Sequence, residues 1–277
     1  MADFDPLSAL QNADPQRYAA LLYMAEAHRV PLATLHLFNL ELARIPRLVR
    51  EPMAGEIRLQ WWREVLLGER AGEGRSNPLA AALMDVVRDH ELPMSAFGMM
   101  LDGRIVDLYA DRFETRGDLE GYCGQTRSAL FQLLLQIVDP VSITVSADAS
   151  GHAGCALGIA EILSHAAMDR GGGKVRVPDD MLASAGGSAE DWLRAEDDAF
   201  LNRAVAAFVA LGISHLTEAN QAIAALDPEA RRIYLPLCEA EVLLNAARRR
   251  GGSLVQTPLH LSPFRHHLAL LRRFMRF

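Results

Sequence analysis

Apolar residues recur at three- and four-residue intervals along almost the whole chain, and no stretch alternates as a half-buried strand does. This spacing predicts helices over about 15–28, 31–48, 53–68, 77–90, 93–112, 118–138, 150–169, 189–195, 196–224, 227–249 and 259–275. Breakers fall between them, at Gly72–Gly74, Asp139–Pro140, Gly171–Gly173, Gly186–Gly187, Asp227–Pro228 and Gly251–Gly252. None of these is long enough for an interdomain linker, and no repeat interrupts the pattern. Residues 1–277 are therefore expected to form one all-α domain.

Several of these helices carry polar stripes in apolar surroundings. Helix 31–48 is apolar on nearly every side through Leu35, Leu37, Phe38, Leu40, Leu42 and Ile45, the pattern of a central helix. Asn39, Glu41 and Arg44 are embedded in it; Glu41 and Arg44, three apart, are placed either to pair or to line a polar cavity. In helix 118–138, Gln125, Gln132 and Gln136 share one stripe, and buried amides must find partners in neighbouring helices or in a wet cavity. Asp102 falls on the apolar face of its helix with Met99, Ile105, Val106 and Tyr109, whereas Asp107 and Asp111 point toward solvent.

Helix 150–169 is the most informative. Gly154, Gly158, Glu161, His165 and Asp169 lie within an arc of about 80° at helical spacing. The glycines invite close approach of another backbone or a ligand. The acid–imidazole–acid ladder is either a hydrogen-bonded seam, with His165 bridging two carboxylates, or a weak candidate metal site.

Composition narrows the function classes. A formal charge of −7 argues against a nucleic-acid binder, and the basic charge is almost all arginine, Lys174 being the only lysine. Cys123, Cys155 and Cys238 are far apart in apolar contexts, which predicts buried free thiols in a reducing compartment. No signal-peptide pattern and no apolar run of about 20 residues is evident, so a cytoplasmic location is expected. Of Trp61 and Trp62, one is expected in the core. The C-terminal segment combines Phe264, Leu268, Leu271 and Phe274 with Arg265, Arg272, Arg273 and Arg276. Such a basic amphipathic helix either packs on the domain with its arginines in solvent or touches an anionic membrane surface, which would make the chain peripheral at the inner membrane.

The segment from Gly158 to Asp169, with Ala160 and Leu163 in register and Pro178 beyond, resembles the second signature of the squalene/phytoene synthase family. Arg29 to Ile45 resembles the first signature, and Asp118-Leu-Glu-Gly-Tyr-Cys123 resembles the family's D-L-x-x-Y-C segment. The resemblance runs from about residue 15 to the C-terminus and implies the isoprenoid synthase fold, a helical bundle around a central cavity. Family enzymes join two prenyl diphosphates head to head, with Mg²⁺ held by two acidic clusters.

The chain departs from that pattern. The first D-D-x-x-D aligns with Ala43-Arg44-Ile45-Pro46-Arg47; Asp169 is kept, but its acidic partner four residues on is Gly173. The family's small pair after the tyrosine becomes Arg127-Ser128. Phe38-Asn39-Leu40-Glu41-Leu42-Ala43 and Arg58-Leu-Gln-Trp-Trp62 resemble a non-catalytic branch of the family that includes a mitochondrial complex I assembly factor. The resemblance thus implies a non-catalytic assembly or lipid-binding protein with a protein partner and no cofactor. The alternative is an active prenyl-diphosphate transferase using Mg²⁺ held by Glu161, His165 and Asp169. A passive carrier would hold the anionic head of an isoprenoid lipid or prenyl diphosphate on Arg44, Arg47 and Arg127 without metal, since guanidinium suits phosphate.

Overall fold

The computed structural model describes residues 4–109, 112–259 and 262–277, and among these there is no strand. Helices α1 (Pro6–Ala13), α2 (Pro15–Leu21) and α3 (Glu26–Leu48) open the chain, followed by α4 (Pro52–Leu66), α5 (Ala71–Ser76), α6 (Pro78–Asp89) and α7 (Met94–Tyr109). Then α8 (Arg116–Cys123) runs through a π turn at Gly124–Ser128 into α9 (Ala129–Val138). The second half comprises α10 (Ala147–Gly171), α11 (Asp179–Ser184), α12 (Ala189–Arg194), α13 (Asp198–Ile223), α14 (Pro228–Arg231), α15 (Leu237–Arg250) and α16 (Pro263–Phe274).

Local chemistry sets most of the starts. Proline occupies the first turn of α1, α2, α6 and α16, where its missing N–H costs nothing, and Asp5, Asp14, Asn77 and Ser262 accept the orphan N–H groups that follow. Thr115 and Ser188 form reciprocal capping boxes with Asp118 and Asp191. Three sequence expectations shift. The break expected near Pro31 lies at residues 22–25 instead, because Arg29 donates to the carbonyls of Leu22 and Met24 and so satisfies the turn before α3. Pro31 is absorbed inside α3. The helix expected over 227–249 is divided by a 3₁₀ turn before Pro236.

One hydrophobic core runs from Leu10 to Val255. α10 and α13 pack side by side at its centre, and an added Cβ at Gly212 would stand 2.9 Å from Ile159 and 2.6 Å from Leu244, so only glycine permits this approach. By length and composition α13 passes as a membrane span, but here it is a core helix with Phe200, Phe208 and Leu201 buried. On the other side, Phe38 of α3 meets Trp62 and Phe97 edge-on, so Trp62 is the core tryptophan while Trp61 donates to Glu73. All three cysteines are buried and unpaired.

α7 corrects two expectations. Its Met99–Ile105–Tyr109 face looks outward, and Asp102 on it is exposed and paired with Arg63 at 2.5 Å rather than directed at the core. Asp107, expected in solvent, points inward; Asp111 lies outside the described residues.

Candidate functional site

Between α3, α7, α9 and α10 lies a cavity of about 350 Å³. Its apolar wall comes from Leu130, Phe131 and Leu134 of α9 and Leu157 and Ile162 of α10. The polar wall holds six cations, Arg17, Arg47, Arg104, Arg127, Lys174 and Arg176, against four carboxylates, Asp14, Asp107, Glu161 and Asp169.

Two ion-pair networks organise that wall. Arg127 donates through Nε and Nη2 to Glu161 Oε2 at 2.8 and 2.5 Å. Arg17 stands 3.6 Å from the other oxygen of Glu161 and donates to Glu239 at 3.0 Å. Across the cavity Asp107 accepts from Arg104 at 3.1 Å and from the Tyr122 hydroxyl at 3.0 Å, and pairs with Arg176 at 3.2 Å. Asn39 accepts from Arg104 Nη2 at 3.1 Å and so fixes its direction, while Arg127 lies over the Tyr122 ring. Arg104 Nε and Arg176 Nη1 are buried donors without a partner among the described residues. An unmet buried donor is costly, but both atoms are closed off from the cavity; the lining cations left without an ion pair among the described residues are Arg47 and Lys174.

The carboxyls respond oppositely to this environment. Burial works to raise Glu161, but the Arg127 and Arg17 guanidiniums outweigh it and hold the carboxyl below its ordinary value. Asp169 is pushed up, because burial outweighs the more distant charges of His165, Arg176, Lys174 and Arg47. Burial also drives His36, on the same wall, down to about 4, so it is neutral at physiological pH. A carboxyl raised on folding favours stability when protonated and loses it as pH rises through the folded value. Asp169→Asn is therefore expected to raise the melting temperature at neutral pH, and a pH series should show the gain vanishing below the unfolded carboxyl value.

Of the residues singled out in the sequence, Asn39, Arg47, Arg127, Glu161, His165 and Asp169 come together on this cavity. The others do not. Arg44 is exposed, Glu41 lies off the cavity wall, and the two form no ion pair with each other among the described residues. Asp102 is on the outside of α7. Gln125 is exposed and Gln132 is off the wall, because the π turn between them adds a residue and breaks the expected stripe. His165 does not bridge two carboxylates: its Nδ1 meets the Glu161 backbone carbonyl at 2.9 Å while the Glu161 carboxylate turns to Arg127. Arg17, His36, Arg104, Asp107, Tyr122 and Arg176 were missed. The Arg104–Asp107 spacing of three was the one signal available for them.

The squalene/phytoene synthase family model matches residues 10–265. The chain belongs to that family. Complex I assembly factor 6 of Rattus norvegicus is 28% identical over 244 residues, covering 88% of this chain and 73% of the rat protein. Squalene synthase HpnC from Alicyclobacillus acidocaldarius superposes with a TM-score of 0.78 at 21% identity, covering 90% of this chain and 94% of that one. A dehydrosqualene synthase solved with a ligand superposes at 0.79 with 20% identity, covering 98% and 94%. These superpositions establish the shared fold.

In this family member the donor set does not fit the divalent ions that the fold's enzymes use. Of the segment aligned with the first acidic signature, Ala43, Pro46 and Arg47 line the cavity and none carries a carboxylate. On the facing walls Glu161 and Asp107 are engaged by arginines, and Asp14 accepts from the Gln16 and Arg17 amides as the cap of α2. Among the described residues no three His, Cys, Asp or Glu side chains stand close enough to share an ion, and Asp169 is the only cavity carboxylate outside an ion pair or cap, where each Mg²⁺ takes one or two free carboxylates beside waters and phosphate oxygens.

Proposed function

We propose that this member of the squalene/phytoene synthase family is non-catalytic and holds an anionic-headed isoprenoid in its cavity on basic side chains alone, in the service of assembling a respiratory NADH dehydrogenase. One observation carries the first half of this reading. The cavity carboxylates Asp107 and Glu161 are neutralised by guanidiniums, while Arg47 and Lys174 line the same cavity, beside an apolar wall, with no ion pair among the described residues. Guanidinium binds phosphate oxygens in a planar fork and needs no bridging metal. The apolar wall from Leu130, Phe131 and Leu134 suits the hydrocarbon part of such a molecule. The second half is supported by the likeness to proteins named as complex I assembly factors.

Thermal unfolding with farnesyl diphosphate tests the ligand. The expected result is a rise in midpoint of equal size in Mg²⁺ and in EDTA, worth about 2.7 kcal/mol at a hundredfold excess over Kd, without release of diphosphate. A shift that requires Mg²⁺ and is followed by diphosphate release would identify an active prenyl-diphosphate transferase and overturn the proposal. For the assembly role, cells lacking the chain are expected to show less intact NADH dehydrogenase on native gels; unchanged amounts would exclude it.

A further inference from the structure

The C-terminal helix buries one side against the domain and leaves an apolar stripe uncovered on the other. On the inner side His266, Leu270 and Arg273 are almost wholly buried. Arg273, expected in solvent, instead donates to the Tyr234 carbonyl at 3.0 Å and to Asn220 at 2.9 Å, and Phe274 packs on Tyr23. On the outer side Phe264, Leu268, Leu271 and Met275 are exposed by 76%, 37%, 43% and 68%. At helical spacing these four fall within an arc of about 60°, nearly opposite the buried face. Arg265, Arg272 and Arg276 form a row beside that arc, and all three are exposed. Arg276 pairs with Glu241, but Arg265 and Arg272 have no ion pair among the described residues.

We propose that the outer face of α16 seats on an anionic phospholipid surface, with the four apolar side chains entering the headgroup boundary and Arg265 and Arg272 engaging lipid phosphates. Charge is what selects this occupant. The segment from Pro263 to Phe277 carries four arginines and no acid in a chain whose formal charge is −7, so this helix is locally basic and presents Arg265 and Arg272 unpaired on its exposed side. The stripe is convex, narrow and flanked by cations, which matches an interfacial helix lying in the plane of a bilayer. Because the inner face already anchors α16 to the core, the helix is formed before it meets lipid and binding carries no ordering cost. This inference is independent of what the cavity holds.

Co-sedimentation with vesicles of phosphatidylcholine, with or without phosphatidylglycerol, tests it in the full chain. Binding is expected only to the vesicles containing phosphatidylglycerol and should weaken as salt rises. An arginine near an anionic surface contributes about 1 kcal/mol, close to a fivefold change in partitioning, so Arg265→Gln with Arg272→Gln should weaken binding roughly 25-fold. Leu268→Gln with Leu271→Gln should weaken it at least tenfold and leave the melting temperature unchanged, since both side chains are on the exposed face. Equal partitioning of wild type and both variants would overturn the proposal. So would a lipid-independent dimer, seen by sedimentation and abolished by the Leu268→Gln, Leu271→Gln variant, because the stripe would then be covered by a second copy of the chain.

Discussion

Arg127→Ala is expected to lower the unfolding free energy by about 3 kcal/mol, near the bottom of the roughly 3–5 kcal/mol range for removing one partner of a buried ion pair. The arginine side chain is 14% exposed, and its guanidinium makes both short bonds to Glu161. Its removal leaves the Glu161 carboxylate inside the cavity wall with only Arg17, at 3.6 Å, in compensation. Arg17 cannot give itself fully, since it also holds Glu239 at 3.0 Å. Glu161 is 26% exposed, so water recovers part of the loss and the low end of the range applies. The decisive comparison is the double variant Arg127→Leu with Glu161→Leu. Removing both charges leaves nothing unpaired, and replacement of a buried pair by packed apolar groups is often neutral or stabilising. Denaturant midpoints should therefore place the double variant well above Arg127→Ala. Equal losses in the single and double variants would mean that packing, and not charge compensation, sets the cost.

How much of this was legible in the sequence differs from helix to helix. α10 was readable because one helix carries a complete face: Gly154 and Gly158 followed at helical spacing by Glu161, His165 and Asp169. Of the polar residues on the apolar helix 31–48, Asn39 was readable but Glu41 and Arg44 were not, and Arg47 came only from the resemblance to the family's first signature. What failed was everything that depends on where a second helix lies. α7 is amphipathic enough to suggest a core face, but whether Asp102 or Asp107 points inward is decided by which side of α7 meets α3 and the π turn, and periodicity alone does not say. The glutamine stripe failed for a local reason. A straight helix was assumed through residues 118–138, and the π turn at Gly124–Ser128 turns everything after it by about one residue, some 100°. That extra residue brings Arg127 onto the wall opposite Glu161 and leaves Gln125 outside. Arg17 is 144 residues from Glu161 and Arg176 is 69 residues from Asp107, so these convergences exist only in the folded chain.

Substitution of a single hydrogen in α10 should show how tightly that π turn is held. An added Cβ at Gly154 would lie 2.2 Å from the Ser128 hydroxyl and 2.7 Å from the Ser128 backbone nitrogen. The backbone nitrogen cannot step aside without moving the turn that carries Arg127, so Gly154→Ala is expected to cost about 1–3 kcal/mol by overpacking. Gly151, nearly one turn earlier on the same helix, has nothing within 4 Å of its added Cβ. Gly151→Ala is therefore expected to stabilise the protein by about 0.5–1 kcal/mol, the usual gain when alanine replaces glycine inside a helix. Opposite signs at two glycines of one helix follow from contact with the π turn and not from helix propensity. Ser128→Ala provides the further control, because it removes the hydroxyl but leaves the nitrogen in place, so little rescue of Gly154→Ala is expected. Full rescue in thermal or denaturant unfolding would mean that only the mobile hydroxyl was in the way, and that the backbone of the π turn is free to shift with Arg127 still paired to Glu161.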